Sequence, residues 1–134
     1  MGQISGLGAA LDVADIPVMA TTVIVGSGIA ANAAAVATIP ARPAMTAYVT
    51  GFQITASGAT AASVAAAVLA GVAGGPVDYS FTFPAGVGVS AMPLSVAFKR
   101  AIPAAAMNTA ITLALPAGGA GNVSASVVLQ GFYL

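Results

Sequence analysis

Val77-Asp78-Tyr79-Ser80-Phe81-Thr82-Phe83-Pro84-Ala85-Gly86 decides how the rest of the chain is read. Val77, Tyr79, Phe81 and Phe83 alternate with Asp78, Ser80 and Thr82, and Pro84-Ala85-Gly86 then stops the run. A period of two with β-branched and aromatic residues on one side is the pattern of a half-buried antiparallel strand ending in a turn. The odd positions should face the interior and the even ones solvent. The same period recurs downstream. Leu94, Val96 and Phe98 alternate with Ser95, Ala97 and Lys99, and Ile111, Leu113 and Leu115 alternate with Thr112 and Ala114 before Pro116-Ala117-Gly118-Gly119. In the final run, Val123 to Leu134, Val127, Leu129 and Tyr133 stand opposite Ser124, Ser126 and Gln130. Upstream, Tyr48, Phe52 and Ile54 share a parity against Val49, Gln53 and Thr55, with Gly51 as a candidate bulge. Thr21–Val25 is short and β-branched. Strands separated by Gly, Pro and Asn at this spacing predict an all-β sandwich or barrel.

Two alanine-rich stretches fit less directly. In Ala61–Val72, Val64, Val68 and Val72 lie four apart, which suits a helix face or one face of a strand; alanine favours helix. The neighbouring strands and the missing charged surface residues favour a strand there. Ile29–Ala37 reads as a short helix or an irregular arm. Residues 1–19, with Asp12, Asp15, Pro17, three glycines (Gly2, Gly6, Gly8) and Ser5, read as an N-terminal arm preceding a single β domain over residues 20–134.

Composition removes most chemistries. The 134 residues hold three basic and three acidic side chains, no histidine and no cysteine; 59% are hydrophobic and 4% charged. Zero net charge gives no general attraction to nucleic acid or an anionic membrane. No disulfide and no zinc, haem or iron–sulfur site of ordinary ligand type can form. Mean hydropathy is +1.02, yet the best window for a membrane span, Ala59 to Val77, is interrupted by Thr60, Ser63, Gly71, Gly74, Gly75 and Pro76. Its apolar content is largely alanine, and no Lys or Arg cluster flanks it, so a transmembrane helix is not expected. The first residues lack a basic run before an apolar one, and Gly6 occupies the position where a myristoylation signal needs Ser or Thr.

Val23-Ile24-Val25-Gly26-Ser27-Gly28-Ile29-Ala30-Ala31 reads as a strand followed by G-x-G-x-x-A, the dinucleotide-binding pattern. Such a site needs an acid about 20 residues on to hold ribose hydroxyls. Residues 44–57 contain none, and βαβ alternation is missing, so the motif reads as a plain turn with no cofactor implied. General acid–base catalysis needs a suitably titrating group, and this chain offers no His, no Glu and one Lys. The serines have no histidine base, so no catalytic residue is expected. Lys99-Arg100 is the one charge cluster, either a solvated strand end or a contact to a partner. Tyr48, Tyr79, Phe81, Phe83, Phe98, Phe132 and Tyr133 would make a ligand-stacking patch if exposed, but their alternation puts most of them in the core.

A monomer with so few charges cannot cover itself with them, and zero net charge favours self-association. The surface therefore predicts a part of an assembly. The order Tyr48-Val-Thr-Gly-Phe52-Gln, Tyr79-Ser-Phe-Thr-Phe-Pro-Ala-Gly86, Pro93-Leu-Ser-Val-Ala-Phe98, Ile102-Pro103, Asn108-Thr-Ala-Ile111, Leu115-Pro-Ala-Gly118 and a closing Gly131-Phe-Tyr resembles the capsid cement, or decoration, proteins of tailed bacteriophages. The likeness spans residues 45–134. It implies a single jelly roll without enzymatic activity or cofactor, made in the host cytoplasm and carried on the exterior of the virion head. There it would bind the major capsid protein, as a homo-oligomer of two or three chains, and lock neighbouring subunits. Other readings are a phage fibre tip or a carbohydrate-binding jelly roll. Three aspartates make a calcium-dependent sugar site poor.

Overall fold

A computed structural model of the chain describes residues 19–134, so the expected arm lies outside the described residues except for Met19. The fold is all-β: β1 (Thr21–Gly26), β2 (Ala35–Ile39), β3 (Ala47–Ala56), β4 (Ser63–Ala70), β5 (Val77–Phe83), β6 (Leu94–Pro103), β7 (Ile111–Leu115) and β8 (Ala125–Tyr133). They form two four-stranded antiparallel sheets packed face to face, ordered β1-β8-β3-β6 and β2-β7-β4-β5. We call these sheets A and B.

The pairings are nested. β4 pairs with β5, β3 with β6, β2 with β7 and β1 with β8. The path is that of one long hairpin, its tip at the β4–β5 turn, rolled so that successive rungs fall alternately in the two sheets. The roll closes with β3 against β8 and β4 against β7. The β4–β5 connection alone stays within one sheet; every other crosses between them.

The core lies between the sheets and follows the alternation. Ala35, Ala37 and Ile39 of β2, Leu69 of β4, Phe81 and Phe83 of β5, Ile111, Leu113 and Leu115 of β7, and Val127 and Leu129 of β8 are all buried. In β5 the odd positions face inward as expected, although Val77, at the strand's start, is exposed and Tyr79 half-buried. Ala61–Val72 contributes a strand, β4, with Val64 and Val68 on its outer side; Val72 follows the strand and is buried.

Two expectations are corrected. The stretch 29–37 is not a helix: it is irregular as far as Ala34 and becomes a strand at Ala35. Ala30 makes an isolated bridge to Ala125, residues 31–33 bend, and β2 begins at Ala35 because Ala35, Ala37 and Ile39 complete the sheet B face of the core. Tyr48 does not share a face with Phe52 and Ile54. The register of β3 shifts between Val49 and Gly51 against both β6 and β8, and an extra residue in a strand exchanges its two faces. Ala47 and Val49 therefore point inward before the bulge, and Phe52 and Ile54 after it. Tyr48 lies on the outer side, stacked on Phe132 with ring centroids 5.0 Å apart. Gly51 is required there for space, since a Cβ would sit 2.6 Å from the Val96 carbonyl oxygen.

Candidate interaction surface

The charged pair Lys99-Arg100 falls on β6, an edge strand of sheet A. Val49 pairs with Ile102 and Gly51 with Ala97, so residues 98–101 bulge opposite Thr50 alone, and both side chains are exposed. Charge and irregularity on an edge strand discourage another strand from adding to it. At this edge the pair guards the sheet, whether or not it also meets a partner. The remaining basic residue, Arg42, lies over the Tyr133 ring at 4.2 Å. The buried Tyr133 hydroxyl donates to the Pro40 carbonyl oxygen at 2.6 Å. This cation–π and hydrogen-bond pair fastens the chain after β2 to the end of β8.

Gly26-Ser27-Gly28 is not the turn expected; it continues β1 irregularly along β8 and is held by its serine. The Ser27 N–H donates to the Val127 carbonyl at 2.9 Å, and the Ser27 Oγ accepts from the Val127 N–H at 3.0 Å while donating to the Gly28 carbonyl. Gly28 takes φ = 73°. The following residues run along β8 and start no helix, so there is no helix N-terminus here to face a pyrophosphate.

The polar cluster that sequence reading missed centres on Asn122, which is 2% exposed. Its Nδ2 donates to the carbonyls of Ser57 (2.6 Å) and Ser124 (3.2 Å), and its Oδ1 accepts from the Asn32 N–H. Asn32 Oδ1 accepts in turn from Gly119 N–H at 3.1 Å, and Ser57 Oγ accepts from the N–H groups of Val123 and Ser124. Asn122 thus ties the β1–β2, β3–β4 and β7–β8 connections together at one end of the sandwich. Its bonding capacity is used internally, which makes it a structural device. The isolated N-x-S at 122–124 carries no periodic signal that marks this role.

No group of three His, Cys, Asp or Glu side chains that could hold a metal ion occurs among the described residues. Nor is any helix there long and apolar enough to cross a membrane. All eight aromatic side chains are buried or half-buried: Phe52 packs against Tyr79 and Phe98, and Phe81 against Phe83. An exposed platform for stacking sugars is therefore missing from the described residues. An open cleft of about 390 Å³ lies between β5 and the start of β6, lined by Ser80, Phe81, Thr82, Met92, Pro93 and Leu94. Its side chains offer two hydroxyls and no ionisable group.

The outer faces of the two sheets differ. Sheet A presents Thr50, Gln53, Thr55, Ser95, Ser126, Gln130 and Lys99 around the stacked Tyr48 and Phe132 and the exposed Ile24. Across sheet B, Val36, Ala114, Val68 and Asp78 line up in one row, and Thr38, Thr112 and Ala70 in the next, with Ala66 beside Ser80 and Val64 beside Thr82. Val64 is 70% exposed and Val36 47%. The side chains on this face are small, and among the described residues Asp78, on its edge strand, is its only charge. Comparisons with protein-family models, curated proteins and solved structures find no match to the chain.

Proposed function

We propose that this chain is a capsid cement protein: a jelly roll that binds the exterior of a tailed-phage head and stabilises the contacts between its major capsid subunits. The observation that carries the reading is the outer face of sheet B, four strands wide with a single charge at its margin. Such a face gains by being covered and has no ionic means of choosing a partner. The nested strand pairing supports a jelly roll, the double-sheet solution that recurs in viral capsid domains. A protein that binds only the assembled shell stabilises it by mass action, without catalysis.

Attachment through this face is nearly free of charge, so it should survive salt that screens exposed ion pairs over about 8 Å at physiological strength. Residues 1–19 are assigned the second attachment, an arm laid across a neighbouring subunit. The test adds the protein to heads stripped of their decoration and counts bound copies at low and high salt. Hundreds of copies per head, retained at high salt and lost with Val68→Lys, are expected. Loss at moderate salt would move the contact to Lys99 and Arg100, and a handful of copies per particle would make the chain a fibre component instead. Deleting residues 1–15 should weaken binding and leave the sandwich folded; equal binding would remove the arm from the mechanism.

A further inference from the structure

The four sheet edges are not guarded alike. β5 carries Asp78 and is bracketed by Pro76 and Pro84; β6 carries Lys99 and Arg100, a bulge and Pro103, and is preceded by Pro93. β2 is five residues long and is followed by Pro40. β1, Thr-Thr-Val-Ile-Val-Gly, has six residues with neither charge nor proline. Among the described residues it pairs with β8 on one side and with nothing on the other. A β-branched, uncharged edge is the kind that accepts another strand.

The hydrogen-bond phase of that edge can be worked out. β1 and β8 pair so that Thr21 faces Tyr133 and Gly26 faces Val128, and Ser27 continues the same register against Val127. The Ser27 N–H donates to Val127, so 27/127 is a bonded position. Bonded and non-bonded positions alternate in an antiparallel pair. Thr21, Val23 and Val25 therefore spend their backbone groups on β8, while Thr22, Ile24 and Gly26 direct theirs to the open side. Ile24 is the middle of the three and is 67% exposed. Val23 and Val25 face inward but are only half-buried, whereas Val127 and Leu129 on the neighbouring β8 are fully buried. The sandwich is thus incompletely closed along β1.

We propose that β1 pairs antiparallel with β1 of a second copy about a twofold axis through Ile24, joining two sheets A into one eight-stranded sheet. With Ile24 opposite Ile24, Thr22 falls opposite Gly26, so all three outward-directed groups on each chain find partners in the same phase. Val23 then neighbours Val25 of the other copy and both become more buried. β-Branched cross-strand pairs favour such a ribbon. A strand without charge is its own complement, which a strand bearing Lys99-Arg100 or Asp78 is not. This inference goes beyond the capsid reading and stands without it.

The test is sedimentation of the full chain together with amide hydrogen exchange. The wild type is a dimer whose Thr22, Ile24 and Gly26 amides are protected, and dilution to monomer removes that protection. Ile24→Pro deletes an outward N–H and leaves the β8 ladder intact, since proline is tolerated where an edge strand's N–H faces out. The symmetry removes two central bonds per dimer, so the dimer dissociation constant should rise about 10- to 100-fold. Ile24→Lys, which keeps the backbone donor but places a charge on each copy at the axis, should act in the same direction. Thr82→Lys on β5 should leave the dimer unchanged. A wild-type monomer, a dimer that persists in both Ile24 variants, or protection that survives dilution would overturn the proposal. The last outcome would assign the edge to a segment of the same chain.

Discussion

Phe83→Ala, made alone and with Gly118→Ala, tests the packing of sheet B against the loop that crosses its end. Phe83 is fully buried and meets Phe81 edge-on at 5.2 Å. Truncation removes the apolar area of a whole ring and leaves a cavity beside Gly118, at an expected cost of about 3–5 kcal/mol. Against a total stability of about 5–15 kcal/mol this is a large fraction, and it lowers the melting temperature by about 10–20 °C for a domain of this size. Gly118 touches the same ring: a Cβ there would lie 2.7 Å from both Cδ1 and Cε1 of Phe83 and 3.1 Å from Cγ of Asn122. Gly118→Ala in the wild type overpacks the site and should cost about 1–3 kcal/mol. In the Phe83→Ala background the ring is gone and the added methyl fills part of the cavity. The double variant should therefore be more stable than the sum of the single losses predicts, by about 1–2 kcal/mol. Urea titration of all four proteins at one concentration, followed by far-ultraviolet circular dichroism, measures the cycle. Additivity within about 0.5 kcal/mol would refute the contact. A loss from Thr82→Ala as large as that from Phe83→Ala would refute the inward and outward assignment of β5.

Asn122→Ala should cost about 2–4 kcal/mol in the same titration, because it strands the Ser57 carbonyl and the Asn32 N–H at a buried junction. Tyr133→Phe should cost about 1 kcal/mol, the worth of the hydroxyl bond to Pro40, with the ring and its contact to Arg42 retained. Replacing Lys99 and Arg100 together by Thr should leave the urea midpoint nearly unchanged but lower solubility, read as light scattering against concentration; unchanged solubility would remove the edge-guarding role of the pair.

How much of this could be read beforehand depended on the residue type carrying the signal. Strands such as β5 and β7 were legible because large and small side chains alternate without a break, and the period follows directly from strand geometry. β2 was not legible: in Ala-Asn-Ala-Ala-Ala-Val-Ala-Thr-Ile the inward residues are alanines, which carry little contrast with the outward ones, and only Ile39 is large. Tyr48 has the parity of Phe52 and Ile54 in the sequence, but the bulge before Gly51 exchanges the faces of β3, and that shift is fixed only by its pairing with β6 and β8. At the surface, Lys99 and Arg100 stood out as the only charge cluster, but their place on an unpaired edge depends on sheet order. That order comes from long-range pairing of β3 with β6, which local pattern does not encode. The same holds for the outer face of sheet B, whose rows are assembled from strands up to about 80 residues apart, such as Val36 and Ala114.

The two proposed surfaces bear on each other through geometry. The β1 edge belongs to sheet A and the charge-poor face to sheet B, on the opposite side of the sandwich. Joining two copies along β1 therefore extends sheet A and leaves both sheet B faces uncovered. Such a dimer would carry two copies of one charge-poor face in fixed relative orientation. If those faces meet two equivalent sites on a shell, the second contact forms at an effective concentration set by a rigid junction, so that even weak individual faces hold firmly. The gain vanishes if the twofold geometry of the dimer does not match the spacing of the shell sites. Ile24→Pro separates these cases, because it leaves each sheet B face intact while breaking the junction. A steep loss of shell occupancy in that variant, with the residual copies still resistant to salt, is the expected outcome. Undiminished occupancy would mean that single chains bind the shell independently and that the β1 pairing serves some other contact.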